Sequence, residues 1–129
     1  MKQLLLIFSV VITVLLIKHM VSETTLTPQE ADKRIAAGTA VLIDVREPSE
    51  WAEGIAKPAI LLSLSDLTGA RTKWKPFLEL NREKELLVYC RSGNRSGKAA
   101  GILSREGFKV SNAGSFDAWK NAGLPTRKP

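Results

Sequence analysis

The stretch Leu86-Leu87-Val88-Tyr89-Cys90-Arg91-Ser92-Gly93-Asn94-Arg95-Ser96-Gly97 decides the reading of this chain. A short apolar run ends at the only cysteine among 129 residues, and small and basic residues follow it. An apolar run bounded by Gly-rich polar sequence is the pattern of a buried strand. From Lys98 to Glu106 the pattern changes, because Ala99, Ala100, Ile102 and Leu103 share one face at helical spacing. Cys90 is therefore expected in a strand-to-helix turn, where free backbone N–H groups and the helix dipole favour an anion. A thiolate in such a place has a lowered pKa. Arg91 and Arg95 would supply positive charge, while Ser92, Gly93, Ser96 and Gly97 let the backbone curl around the sulfur. A lone cysteine closing an apolar strand is often an inert core residue. Two arginines and a glycine-rich turn have no use in that role, so Cys90 reads as a nucleophile.

Composition narrows the chemistry. The length suits one domain with a modest core, and the charged fraction of 25% is ordinary for a globular protein. One cysteine excludes an internal disulfide framework. The single histidine, His19, lies in the hydrophobic N-terminal stretch, so the domain cannot assemble a Cys–His or Ser–His pair. One His and one Cys also argue against a zinc site, and neither metal nor organic cofactor is implied. The net charge of +6 is uneven: residues 22–70 carry 4 Lys/Arg against 8 Asp/Glu, whereas residues 71–129 carry 13 against 5. The basic half holds the cysteine loop, which suits an anionic substrate. No nucleic-acid motif and no interleaved aromatics accompany the charge, so nucleic acid is not an expected partner.

In chain order, Met1-Lys2 precedes an apolar run from Leu4 to Ile17 that resembles an export signal. A helix over those residues spans about 21 Å, short of the roughly 30 Å hydrocarbon core. Extended through Met20 and Val21, with Lys18 reaching for the interface, it makes a short single-pass anchor. Residues 1–22 therefore read as a signal peptide or anchor, 23–26 as a linker, and 27–127 as the domain. This reading puts the domain outside the cytoplasm, in the periplasm or at a membrane. Thr27-Pro28-Gln29-Glu30 is a capping box for a helix running to about Ala37 and ended by Gly38. Val41 to Val45 is a buried strand whose Asp44 needs a partner, with Arg46 a candidate, and both read as structural. A short helix over Ser49–Gly54 with Trp51 inward, a strand over Ala59–Leu62, a turn or helix from Ser63, a basic loop over Gly69–Lys75 and a helix around Pro76–Leu80 follow. The last strand is expected over Phe108–Ser111, with Asn112-Ala113-Gly114 turning into a helix over Ser115–Lys120. Strands alternating with helices imply a parallel sheet covered on both faces. Ligands then bind beyond the carboxyl ends of the strands, where Cys90 falls.

Three motifs in register resemble the rhodanese family. They are Ile43-Asp44-Val45-Arg46-Glu47-Pro48-Ser49-Glu50-Trp51, then Val88-Tyr89-Cys90-Arg91-Ser92-Gly93-Asn94-Arg95-Ser96, then Ala118-Trp119-Lys120-Asn121-Ala122-Gly123-Leu124-Pro125. The resemblance covers residues 27–127 and implies a rhodanese-like α/β fold in a single, monomeric domain. Two places depart from the family pattern. Ile55-Ala56-Lys57-Pro58-Ala59 stands where the family has His-Ile-Pro-Gly-Ala, and Ala113-Gly114-Ser115 stands where a Gly-Gly pair is frequent.

The resemblance implies a sulfurtransferase. Cys90 would take a sulfane sulfur from an anionic donor such as thiosulfate, hold it as a persulfide, and pass it to cyanide or to a thiol, including a protein thiol. Arg95 would organise the loop, Arg91 would contact the donor, and the amides from Arg91 through Ser92, Gly93, Asn94 and Ser96 would cradle the anion. Lys73 and Lys75 extend the positive rim only if they reach it; a solvated face is the simpler reading. Cys90 to Arg95 is Cys-x4-Arg, shorter than the Cys-x5-Arg of related phosphatases. A small phosphatase or arsenate reductase is thus one alternative, and a persulfide carrier that turns over only with its partner is another.

Overall fold

The computed structural model describes residues 25–129, so the export or anchor reading of residues 1–22 lies outside them. The elements run α1 (Pro28–Ala36), β1 (Ala40–Asp44), α2 (Pro48–Trp51), β2 (Ile55–Ala56), β3 (Ile60–Leu61), α3 (Leu64–Thr68), α4 (Trp74–Leu80), β4 (Glu85–Cys90), α5 (Asn94–Arg105), β5 (Val110–Ser115), α6 (Phe116–Asn121) and β6 (Thr126–Arg127). Four strands form a parallel sheet in the order β3-β1-β4-β5. Helices cover both faces, as the alternation of strands and helices predicts. Among the described residues no helix is long and apolar enough to cross a membrane.

Alternation along β4 divides the core. Leu86, Val88 and Cys90 point to one face, against Leu67, Trp74, Leu78, Ala99 and Leu103 from α3, α4 and α5. Leu87 and Tyr89 point to the other, against Ala31 of α1 and Phe116 and Trp119 of α6. Both faces of a central parallel strand are thus dry, which is why β4 reads as a continuous apolar run. Full burial of Leu86 or Leu87 is worth about 2 kcal/mol each.

Several boundaries differ from the sequence expectation, each for a local reason. Thr27 caps α1 by accepting the Glu30 N–H, but the Glu30 side chain pairs with Arg34 and does not reach back. The reciprocal capping box is at α2 instead, where Glu47 and Glu50 exchange side-chain and backbone bonds. That helix ends at Trp51, short of Gly54, and its indole is inward as expected. The strand expected over Ala59–Leu62 is only Ile60–Leu61, and α4 starts at Trp74, two residues early. Its start is held by the Asp66 carboxylate, which accepts the N–H groups of Thr72, Lys73 and Trp74.

The largest correction is β5. Its expected end at Ser111 moves to Ser115, so Asn112-Ala113-Gly114 is strand and not turn. On one side β5 follows β4, with a register shift between Val88 and Cys90. On the other, Leu26 N–H donates to Asn112 O at 2.8 Å, so the segment before α1 occupies that edge. The Ile55-Pro58 departure also has a structure: β2 pairs antiparallel with β6, a small second sheet the sequence did not announce. Ile55 and Ala56 are fully buried there, and Ala56 N–H donates to the Tyr89 hydroxyl at 3.0 Å.

Candidate active site

Cys90 ends β4, and the chain reverses at Gly93, whose φ of 93° lies in the left-handed region. Only glycine holds that conformation at little cost. The turn makes Gly93 the cap of α5 and aims its N–H back at the sulfur, 3.1 Å from Cys90 Sγ. Ser96 Oγ lies 3.3 Å from the same sulfur. Residues Asn94–Gly97 are therefore the first turn of α5. The helix starts four residues before Lys98, because those residues are small or polar and carry no apolar signal.

The charge state of the sulfur follows from these neighbours. Burial pushes the Cys90 thiol up, but the Ser96 hydroxyl and the amides of Ser96, Gly93 and Ser92 outweigh it and hold the thiol below its usual value. The direction matches the expectation from the sequence, and so does the part of the cause that the backbone amides supply; the Ser96 hydroxyl is the addition. Hydrogen-bond donors, rather than the two arginines, do most of the lowering.

The fork of Arg95 is taken up by a carboxylate. Its Nη1 and Nη2 donate to the two carboxylate oxygens of Glu50 at 2.7 Å each, tying α5 to α2. Those bonds, against the opposing effect of burial, hold the Glu50 carboxyl down to about 2. The pair keeps Arg95 charged, with a smaller contribution from Cys90. Arg95 thus braces α5 against α2, and Glu50 is a partner that no local pattern in the sequence announces.

Below the turn, Asp44 and Arg46 form the buried pair. Arg46 Nη2 donates to Asp44 Oδ2 at 2.7 Å and to the Gly54 carbonyl at 2.7 Å, and Arg46 N–H adds a bond to Asp44 Oδ1 at 2.9 Å. The guanidinium also lies 4.5 Å from the Phe116 ring centre. This network fastens the β2 turn to the end of the sheet, the structural role expected of both residues.

Arg91 is exposed and opens onto a cleft of about 240 Å³ lined by Arg46, Glu50, Glu53, Arg91, Phe116, Asp117 and Lys120. Lys120 sits over the Phe116 ring at 4.8 Å. Lys73 and Lys75 do not join this cleft; Lys75 lines a separate groove with Arg71 and Glu106. Of the residues assigned to the site, Ser92, Gly93 and Ser96 act on the sulfur, Arg91 faces the cleft, and Asn94 opens α5. Asn112, whose Asn-Ala-Gly setting predicts a turn, instead bonds to Ser96 and Gly93 from β5. Among the described residues no cluster of His, Cys, Asp and Glu could hold a metal ion.

A cysteine at the carboxyl end of a central parallel strand, ringed by donors at a helix start, defines a cysteine-loop α/β protein. The Rhodanese-like domain model matches residues 27–122, and the chain belongs to the rhodanese family. It is 34% identical over 91 residues to a sulfurtransferase of Allochromatium vinosum, covering 69% of this chain and 79% of that one. It is 33% identical to an uncharacterized protein of Synechocystis, covering 83% of this chain but only 58% of that protein's length. Among solved structures, a rhodanese-related protein of Thermoplasma volcanium superposes with a TM-score of 0.68 at 30% identity, over 81% of this chain and 98% of that one.

Proposed function

We propose that the protein is a sulfurtransferase that moves a sulfane sulfur from thiosulfate or a similar anion to cyanide or a thiol through a persulfide on Cys90. The observation that supports it most is the pair of donors, Gly93 N–H and Ser96 Oγ, converging on a sulfur held below its ordinary pKa. In the first step the Cys90 thiolate attacks the outer sulfur of thiosulfate. A sulfur–sulfur bond forms to Cys90, the bond within thiosulfate breaks, and sulfite leaves with its electron pair. In the second step cyanide or a thiolate attacks the outer persulfide sulfur, and the electron pair returns to Cys90 as thiolate. Neither step needs a proton transferred, so the absence of a domain histidine is no obstacle.

Cys90 is fully enclosed at rest, so this function requires the sulfur to be uncovered for the donor. The cleft that Arg91 faces carries Glu50, Glu53 and Asp117 as well as Arg46 and Lys120; Arg46 pairs with Asp44 and Lys120 with Asp117, which leaves Arg91 as the cation to meet an anionic donor there. A phosphatase is less well served, because the Arg95 fork that would clasp a phosphate is committed to Glu50. Acting as a monomer, the domain would work outside the cytoplasm, exported or anchored by residues 1–22, which cell fractionation of the full chain tests.

The chemistry is tested by intact-mass spectrometry of the full chain and of Cys90→Ser after exposure to thiosulfate without reductant. Gain of one sulfur that cyanide removes, and that the variant lacks, is the expected result. No adduct from any sulfane donor would overturn the proposal. Steady-state turnover on free cyanide and small thiols then separates an enzyme from a carrier.

A further inference from the structure

One hydroxyl proton faces two acceptors at the base of the site. Ser96 Oγ lies 2.7 Å from Asn112 Oδ1 and 3.3 Å from Cys90 Sγ, and a serine has a single O–H to donate. The Asn112 amide cannot turn over to relieve the competition. Its Nδ2 donates to the Gly93 carbonyl at 3.0 Å, and its Oδ1 accepts the Gly114 N–H at 3.0 Å. Both partners are backbone groups of fixed polarity, so the amide orientation is forced. Ser96 is itself fully buried.

Two hydrogen-bond arrangements follow. With Cys90 as a thiol, S–H donates to Ser96 Oγ, and Ser96 O–H donates to Asn112. With Cys90 as a thiolate, the sulfur has nothing to donate; Ser96 O–H turns to it, and Asn112 Oδ1 keeps only Gly114. We propose that Asn112 is a positioning residue that acts on Cys90 through Ser96, by competing with the sulfur for this one proton. It also holds the carbonyl of Gly93, the residue whose N–H supplies the other donor to the sulfur. Its importance for catalysis rests on Cys90 being the sulfur-carrying nucleophile; its effect on the thiol does not.

The other groups around the sulfur do not duplicate this role. On the face that Cys90 shares with Leu86 and Val88 of β4, the apolar cluster packs Ile43 of β1, Leu67 of α3, Trp74 of α4 and Ala99 of α5. From α5, Arg95 couples to the thiolate by charge but is clasped by Glu50 of α2. Arg91 follows in the loop and faces the cleft. On the β5 side stand Asn112 and Ser115, the latter paired with Cys90 in the ladder and capping α6. Among the described residues no charged side chain hydrogen-bonds to Ser96 or Asn112.

The test is a double-mutant cycle on the full chain, read by ultraviolet titration of the thiolate and by alkylation rate against pH. Cys90 is the only cysteine, so both signals belong to it. Asn112→Ala is made in the wild type and in Ser96→Ala. Loosening of the Gly93 turn affects both backgrounds alike and cancels. What remains is the competition, so Asn112→Ala should lower the thiol pKa in the Ser96 background relative to the Ser96→Ala background. The difference should be about 0.5–1 pH unit, the worth of one hydrogen bond. Equal responses in the two backgrounds would overturn the proposal. Should Asn112→Ala fail to fold, Asn112→Asp keeps the shape and offers the hydroxyl a stronger acceptor. The same difference must then have the opposite sign, and a zero or unchanged sign overturns the proposal. No sulfur donor enters these titrations, so their failure leaves the sulfurtransferase function standing, and failure of sulfur loading leaves this inference standing.

Discussion

Replacing Glu50 with Gln should weaken the protein in a way that depends on pH. The carboxylate accepts two 2.7 Å bonds from Arg95 and a third from Glu47 N–H, which hold its pKa at about 2 against an ordinary value of 4.5. Such a depression is worth at most about 3 kcal/mol of folding stability. The pair reaches solvent, with Arg95 34% and Glu50 21% exposed, so screening brings the expected contribution to about 1–2 kcal/mol. A depressed carboxyl stabilises the fold fully above its unfolded pKa, and the contribution is lost as pH falls through the folded one. Urea unfolding of the wild type and Glu50→Gln should therefore differ by about 1–2 kcal/mol near neutrality. The gap should close as the pH drops from about 4.5 towards about 2. A difference that stays constant across that window would show that the pair contributes no charge-dependent stability, and the account of Arg95 as the tie between α5 and α2 would fail.

Gly93→Ala should cost about 1–2 kcal/mol and raise the Cys90 thiol pKa, seen by unfolding and by alkylation against pH. An added Cβ would sit 3.8 Å from Gly114 Cα, so there is no clash and the cost is conformational; unchanged stability would refute it. Arg91→Ala should raise KM for thiosulfate by about three- to tenfold with kcat and stability kept, and should reduce the salt dependence of KM. An unchanged KM would remove Arg91 from donor binding. Arg46→Met leaves the fully buried Asp44 carboxylate unpaired and should cost about 3–5 kcal/mol. Asp44→Asn in that background should recover part of the loss, and a cost below about 1 kcal/mol for Arg46→Met alone would contradict the role assigned to the pair.

The sheet and the cysteine turn are legible because their signals are local. An apolar strand reads from composition alone, and so does a glycine after a cysteine where the chain must reverse. Ile55 and Ala56 show the opposite case. Their strand pairs with Thr126 and Arg127, about seventy residues away, and no local pattern encodes that contact. The start of α5 lies earlier than its apolar pattern because none of Asn94, Arg95, Ser96 and Gly97 is apolar and Asn94, Ser96 and Gly97 are poor helix formers; the Gly93 turn sets where the helix begins. Asn112 was mistaken for a turn for a similar reason. An Asn-Ala-Gly run suits a turn, yet β4 on one side and Leu26 on the other hold it extended. Glu50 lay within a quoted motif, but the 45 residues separating it from Arg95 hid the pairing.

Charge and hydrogen bonding divide the labour in this site. Burial alone would make Cys90 a poor nucleophile, and with no histidine in the domain, no imidazolium can offset it. The offset comes from short-range donors, a serine hydroxyl and a set of amides, whose effect depends on where the Gly93 turn and Ser96 put them. Donors of that kind are insensitive to salt, unlike an exposed arginine. Arg95 is thereby released to brace α5 against α2, and Arg91 to face the cleft. A thiolate stabilised mainly by arginine would weaken with ionic strength together with donor capture. Under the proposed function the two are carried by different groups, so raised salt should slow capture of the donor while leaving the thiol pKa in place.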